Sequence, residues 1–215
     1  MSLTYDCSDP TQRSEGIIAA EGAIRRGDLV VLPTDTVYGL GADAFQPPAV
    51  DDLLAAKGRG RDMPVPVLVG SWKGLDGLTM ITPVAARDLV EAFWPGGLTL
   101  IVEHAPSLAW DLGDTRGTVA VRMPLHPVAI ELLRRTGPLA VSSANRSGQP
   151  PAVTAAEAEE QLGSAVAVYL DGGPSGAAVP STIVDLTGLV PRALRVGAVS
   201  MDQLREVLSD IEPQA

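Results

Sequence analysis

Lys57, Arg59 and Arg61 alternate with Gly58 and Gly60, directly after a stretch with helical spacing. An ammonium and guanidinium forks suit phosphate oxygens, and the glycines let the backbone wrap an anion. The Walker A pattern is absent. The segment is therefore a phosphate site of another kind, or a solvated basic loop at a helix C-terminus. Other polar groups sit where apolar runs end. Thr34 and Thr36 follow Leu29–Leu32, with Gly39 and Gly41 just beyond. They form either a polar-ligand loop or a capped turn. Arg122 closes the run Thr118–Val121, as a carboxylate-binding arginine or as half of an internal ion pair. Ser142, Ser143, Asn145 and Arg146 crowd the end of Leu139–Val141, dense enough in hydrogen-bonding groups to favour a site. Ser181 could orient a ligand and Arg195 could neutralise a phosphate, though each also reads as an ordinary strand residue.

Other chemistries are disfavoured. Ser143 has no evident histidine partner, which argues against a Ser-His-Asp hydrolase. Cys7 is the only cysteine, so no internal disulfide forms, and it has no cationic neighbour in sequence to activate a thiolate. His104 and His126 lack a cysteine cluster, so no structural zinc site is expected. No apolar run is long enough to span a membrane. The N-terminal residues do not read as a signal peptide, which makes a cytoplasmic protein the default expectation. With 16 basic and 26 acidic residues the net charge is −10, which opposes strong non-specific nucleic-acid binding.

The elements that must position these groups alternate along the chain. Short runs rich in Val, Ile and Leu read as buried strands at 29–32, 65–69, 98–102, 118–121, 139–141, 165–170, 182–186 and 193–196. Helical spacing appears at 15–26, 50–57, 83–93, 127–135, 154–161 and 200–208. Thr82 is the expected N-cap of the third helix, Thr154 and Glu157 form an expected capping box, and Ser200 and Gln203 another. The class is α/β, and the last two strands lack an intervening helix, which predicts a mixed sheet. At 46% hydrophobic residues, 215 residues suffice for one large domain. The expected division is an extension at 1–13, a catalytic domain at 14–200 and a terminal helix with a frayed tail at 201–215.

Taken together, these segments resemble the YrdC-like threonylcarbamoyl-AMP synthase family. The matching pieces are LPTDTVYGLGADA (32–44), KGR (57–59), WPGGLTLIV (94–102), TVAVRMPLHP (118–127), SSANRSGQP (142–150), STIVDL (181–186) and LRVGA (194–198). The resemblance implies a single YrdC-like domain: a twisted mixed sheet, flanking helices and a central ligand cavity. It implies the short form of the family, without the extra C-terminal domain. It also implies synthesis of threonylcarbamoyl-AMP and pyrophosphate from L-threonine, bicarbonate or CO2, and ATP with Mg²⁺. A tRNA-modifying transferase system would take the product onward, and transient tRNA contact is compatible with this. By position, the resemblance gives Lys57, Arg59, Arg61, Thr118, Asn145 and Arg195 to ATP, with Lys57 and Arg59 catalytic. It gives Thr34, Arg122, Ser143 and Ser181 to threonine. The loop 57–62 is the candidate lid, and no side-chain metal ligand is expected. The alternative is an RNA-binding module of the same fold without adenylate-forming activity.

Overall fold

The computed structural model describes residues 2–176 and 179–214. Its centre is an eleven-stranded sheet in the order β1-β8-β2-β3-β7-β4-β6-β5-β9-β10-β11. The first half of the chain supplies β1 (Leu3–Asp6), α1 (Pro10–Arg25), β2 (Val30–Leu32), β3 (Gly39–Asp43), α2 (Pro47–Lys57) and β4 (Val67–Leu68), followed by α3 (Lys73–Leu78) and α4 (Val84–Phe93). The second half supplies β5 (Leu98–Glu103), β6 (Thr118–Arg122), α5 (Pro127–Thr136), β7 (Leu139–Ser143), α6 (Ala155–Leu162), β8 (Val168–Asp171), β9 (Thr182–Asp185), β10 (Arg192–Arg195), α7 (Met201–Val207) and β11 (Glu212–Pro213). Parallel and antiparallel pairings mix: β5 pairs in parallel with β9, whereas β9 and β10 are antiparallel.

Period-2 alternation divides the apolar side chains between the sheet's two faces. Val30, Leu32, Leu68, Leu139 and Val141 join α1 and α5 in one core, while Val31, Val67 and Ala140 join the larger core. The same alternation leaves Thr99 and Ile101 on β5, and Thr118, Ala120 and Arg122 on β6, facing a cavity rather than the large core.

Helix ends follow their local chemistry. Ser200 and Gln203 form the reciprocal capping box at the start of α7. Thr154 accepts from the Glu157 backbone N–H, but the Glu157 carboxylate reaches one residue further back, to Val153 N. Thr82 does not cap α4. Its hydroxyl bonds Asp76 and Thr79 instead, and Pro83 takes the cap position.

Some elements differ from expectation. Gly39–Asp43 is a central strand, antiparallel to both β2 and β7. Its glycines hide it from a propensity reading, yet the sheet requires one of them: a Cβ on Gly39 would lie 2.6 Å from Val141 Cγ1. Residues 33–38 are thereby a loop clamped between two paired strands. The first residues are not a separate extension, because β1 adds to the sheet edge on β8 and α1 already begins at Pro10. The tail is not frayed throughout either: Ile211 is buried and β11 pairs with β10.

Candidate active site

A cavity of about 470 Å³ opens on the same sheet face as α1 and α5, where Leu68 and Val141 reach both the helix-covered core and the lining. Arg59, Arg122 and Arg195 all line it, and among the described residues no carboxylate does. Such a pocket attracts anions, because three guanidiniums share it without an acid facing inward. Its apolar wall, which includes Val65, Leu68, Ile101 and Ile183, thins the water and strengthens each charged contact.

Arg59 reaches the cavity from the loop after α2. Gly58 ends that helix in a left-handed conformation at φ 62°, which turns the chain toward the sheet. Arg59 Nη1 donates to Ser142 Oγ at 3.2 Å, while its buried Nε has no partner. Burial lowers its pKa, with Asp62 working the other way. A buried donor without an acceptor costs free energy, and a phosphate oxygen would satisfy it.

Arg122 ends β6 and is only 6% exposed. Its Nε donates to Gly96 O at 2.9 Å, Nη1 to Thr36 Oγ1 at 2.8 Å and Nη2 to Asp35 Oδ1 at 2.7 Å. Burial pushes its pKa down and Asp35 pulls it up, and a guanidinium stays charged under both. Both readings offered by the sequence hold here: Arg122 has an internal ion pair and also faces the cavity. Two of its five N–H groups remain, one on each terminal nitrogen, which is the number a carboxylate takes side by side.

Ser181 opens onto the cavity from the start of β9. Its hydroxyl lies 2.9 Å from Thr99 Oγ1 and accepts from Arg195 Nη2 at 3.1 Å. Arg195 Nε is fixed on the Ser181 carbonyl at 2.9 Å. Burial lowers the Arg195 pKa. Thr34 sits in the clamped 33–38 loop and donates to Val37 O at 2.7 Å. Ser143 ends β7 opposite Gly39, and Thr118 begins β6. Thus Thr34, Arg59, Thr118, Arg122, Ser143, Ser181 and Arg195, far apart in sequence, meet at one cavity.

Three proposed ligand residues lie elsewhere. Lys57 is 4% exposed and is not among the residues that line the cavity. Its ammonium donates to Ser143 O at 2.5 Å, Asn145 O at 2.7 Å and Asn145 Oδ1 at 3.3 Å, which uses all three of its hydrogens. Burial, then the charge of Arg59, brings its pKa down to about 8. Asn145 is equally committed, its amide donating to Arg146 O and Gln149 O. As arranged here, these two residues brace the end of β7 from behind and do not present donors to a phosphate. Arg61 points outward and pairs with Asp51 at 2.6 Å and with Asp111, so it pins the 58–64 loop to α2 and to the segment before β6. The hydrogen bond it donates to Asp111 is the largest cause of the rise in its pKa.

The sequence by itself marks no role for Asp35, Tyr38 or Thr99. Tyr38 lines the cavity and donates to Gly173 O at 2.6 Å. Burial raises its pKa. For Thr99 the available signal was its place two residues before Ile101, on the inward face of β5. Asp35 was visible within the motif, but its partner was not.

Among the described residues, no group of three His, Cys, Asp or Glu could hold a metal. Nor is any helix long and apolar enough to cross a membrane. Cys7 is buried, and burial carries its thiol to about 11, which leaves it inert as a nucleophile at neutral pH.

Fold and cavity thus define an α/β protein with an arginine-lined cavity at the strand ends of one mixed sheet. The Sua5/YciO/YrdC family model, described as telomere recombination, matches residues 22–197, and the chain belongs to that family. A relative from Mycobacterium tuberculosis, provisionally named a threonylcarbamoyl-AMP synthase, is 65% identical over 208 residues, covering 97% of this chain and 96% of its own. The threonylcarbamoyl-AMP synthase of Bacillus subtilis is 39% identical across 96% of this chain and 60% of its own. The structure of P. abyssi Sua5 complexed with L-threonine aligns over 100% of this chain at a TM-score of 0.92 and 34% identity. This chain spans 62% of that Sua5. E. coli YciO aligns over 95% of this chain and 100% of its own at a TM-score of 0.81 and 25% identity.

Proposed function

We propose that this protein is a threonylcarbamoyl-AMP synthase, a nucleotidyltransferase that condenses L-threonine, bicarbonate or CO2, and ATP. The observation that carries the reading is the cavity itself: three arginines, hydroxyls at three strand ends and no inward acid. Relatives bearing this name, and a Sua5 that binds L-threonine, support it. The RNA-binding alternative is not favoured by a chain of net charge −10, three of whose arginines line a cavity.

The chemistry needs positioning and charge neutralisation more than covalent help. The threonine amine attacks the carbon of bicarbonate, a carbamate forms and water leaves. A carbamate oxygen then attacks the α-phosphorus of ATP. The bond from that phosphorus to the bridging oxygen breaks, and pyrophosphate departs with the electron pair. Arg59 and Arg195 hold the phosphates, and Thr118 lies beside the nucleotide. Arg122 takes the threonine carboxylate, while Thr34, Ser143 and Ser181 offer hydroxyls to the amino acid. Lys57 and Asn145 serve by holding Ser143 in place.

Mg²⁺ enters as part of the ATP substrate. The cavity lining has no carboxylate to bind it, so its ligands are phosphate oxygens and water. The product would pass to a separate transferase system that modifies tRNA beside the anticodon, placing the enzyme in the cytoplasm.

The test is mass spectrometry of the protein incubated with ATP, Mg²⁺, bicarbonate and L-threonine, with L-serine in a parallel reaction. A threonylcarbamoyl-adenylate mass that needs all four components supports the assignment. Its absence, with folded protein, overturns it.

A further inference from the structure

Asp35 has no part in the reaction as described, yet the aim of Arg122 depends on it. Its Oδ1 accepts two hydrogen bonds, from Arg122 Nη2 at 2.7 Å and from the Leu125 backbone N–H at 2.8 Å. The guanidinium is held from two other sides, by Gly96 O on Nε and by Thr36 Oγ1 on Nη1. The partners come from the 33–38 loop and the turn before β5. Asp35 in turn is anchored to the connection between β6 and α5. Among the described residues, Asp35 is the one acid within ion-pairing distance of Arg122, and Arg195 is the like charge that bears on it.

A planar ion held at three nitrogens cannot rotate about its side-chain bonds. Its two remaining N–H groups then have one fixed direction. Without the Asp35 contact, Nη2 would be free and the plane could swing away from the cavity.

We propose that Asp35 is a positioning residue for the amino-acid substrate. It does not touch threonine; it sets the plane of Arg122 so that the two remaining N–H groups meet the threonine carboxylate side by side. The inference rests on the synthase reading of the cavity. It makes position, not charge, the contribution of Asp35. Both bonds fall on one oxygen, and the amide oxygen of asparagine can occupy the same place. A glutamate keeps the charge but moves its oxygens by one methylene.

The experiment compares wild type, D35N and D35E in pyrophosphate release, with L-threonine and ATP varied in turn, and records thermal unfolding of each. Positioning predicts that D35E raises KM for L-threonine about 30-fold and D35N about 3-fold, the difference of a well-made against a misplaced charged hydrogen bond. KM for ATP stays within about 2-fold in both, since the phosphate-binding arginines do not depend on this contact. The reverse order, with D35N the worse variant, shows a role in charge compensation and overturns the proposal. So do equal effects in both variants, parallel rises in both KM values, or KM changes that track the loss of thermal stability. Wild type that releases no pyrophosphate with threonine would instead sink the synthase reading beneath it.

Discussion

The Lys57 ammonium stands 2.5 Å from the Ser143 carbonyl oxygen, across 86 residues of sequence, and ties the end of α2 to the end of β7. It is a buried cation with no acid bonded to it among the described residues, and its pKa falls to about 8. An unfolded chain would hold the same proton to about 10.5. Between those values the unfolded state binds more protons than the folded one, so this group makes stability rise with pH. Lys57→Met removes the effect. The stability of wild type relative to that variant should therefore grow by on the order of 2 kcal/mol from pH 7.5 to pH 10.5. Denaturant unfolding at the two pH values measures it. A difference that stays flat or shrinks would show that Lys57 is not a desolvated cation.

Arg59 and Arg61 sit two residues apart and should behave differently. Arg59 lines the cavity with an unpartnered Nε, whereas Arg61 faces out and is bound to two surface acids. Arg59→Ala should raise KM for ATP by about 10- to 100-fold, the value of a charged hydrogen bond to phosphate. Arg59→Lys should not restore it, because a point charge lacks the fork. Arg61→Ala should leave KM for ATP within about 3-fold, since exposed pairs contribute little and salt screens them. Pyrophosphate-release kinetics on the three variants decide the matter, and equal defects at the two positions would count against the division.

Much of this was legible in the sequence, for physical reasons. Runs such as Leu98–Val102 and Leu139–Val141 announce buried strands through their composition, and polar residues at strand ends announce a ligand site. Thr34, Arg122 and Ser143 stand out that way, Ser181 and Arg195 gain roles only from the family resemblance, and the structure brings all five to one cavity. What stayed hidden depends on pairing at long range. β3 was concealed because Gly39 and Gly41 have no side chain to advertise a strand; only Val141 on the neighbouring strand explains the first of them. The direction of Lys57 is set by carbonyls 86 and 88 residues away. Asp35 meets Arg122 across 87 residues. Nothing local in Lys57-Gly58-Arg59 distinguishes an ammonium facing a phosphate from one facing a peptide carbonyl.

Substrate order and charge can be read through salt. Three arginines in one lining make nucleotide capture sensitive to ionic strength. A zwitterionic amino acid has no net charge to steer. KM for ATP should rise several-fold between about 0.05 and 0.5 M NaCl, while KM for L-threonine moves less than about 2-fold. A parallel rise in both would mean that the three cations do not act on the phosphates.

Ser181 and Thr182 are neighbours with opposite duties, and the second can be tested on stability alone. Strand alternation turns Ser181 to the cavity and buries Thr182 completely. The Thr182 hydroxyl donates to Val199 O at 2.6 Å and accepts from Gly197 N at 2.8 Å and Val199 N at 3.0 Å. One side chain thus satisfies three backbone groups in the segment after Arg195. Thr182→Val keeps the shape and strands all three. At about 1 kcal/mol or more for each buried group left unpaired, the loss should come to about 3 kcal/mol. For a chain of this size that lowers Tm by about 6–12 °C. Thr182→Ser keeps the hydroxyl and should recover most of the loss. Calorimetric scans of the two variants separate the outcomes: if valine and serine melt alike, the cost belongs to packing and the hub is not holding this segment.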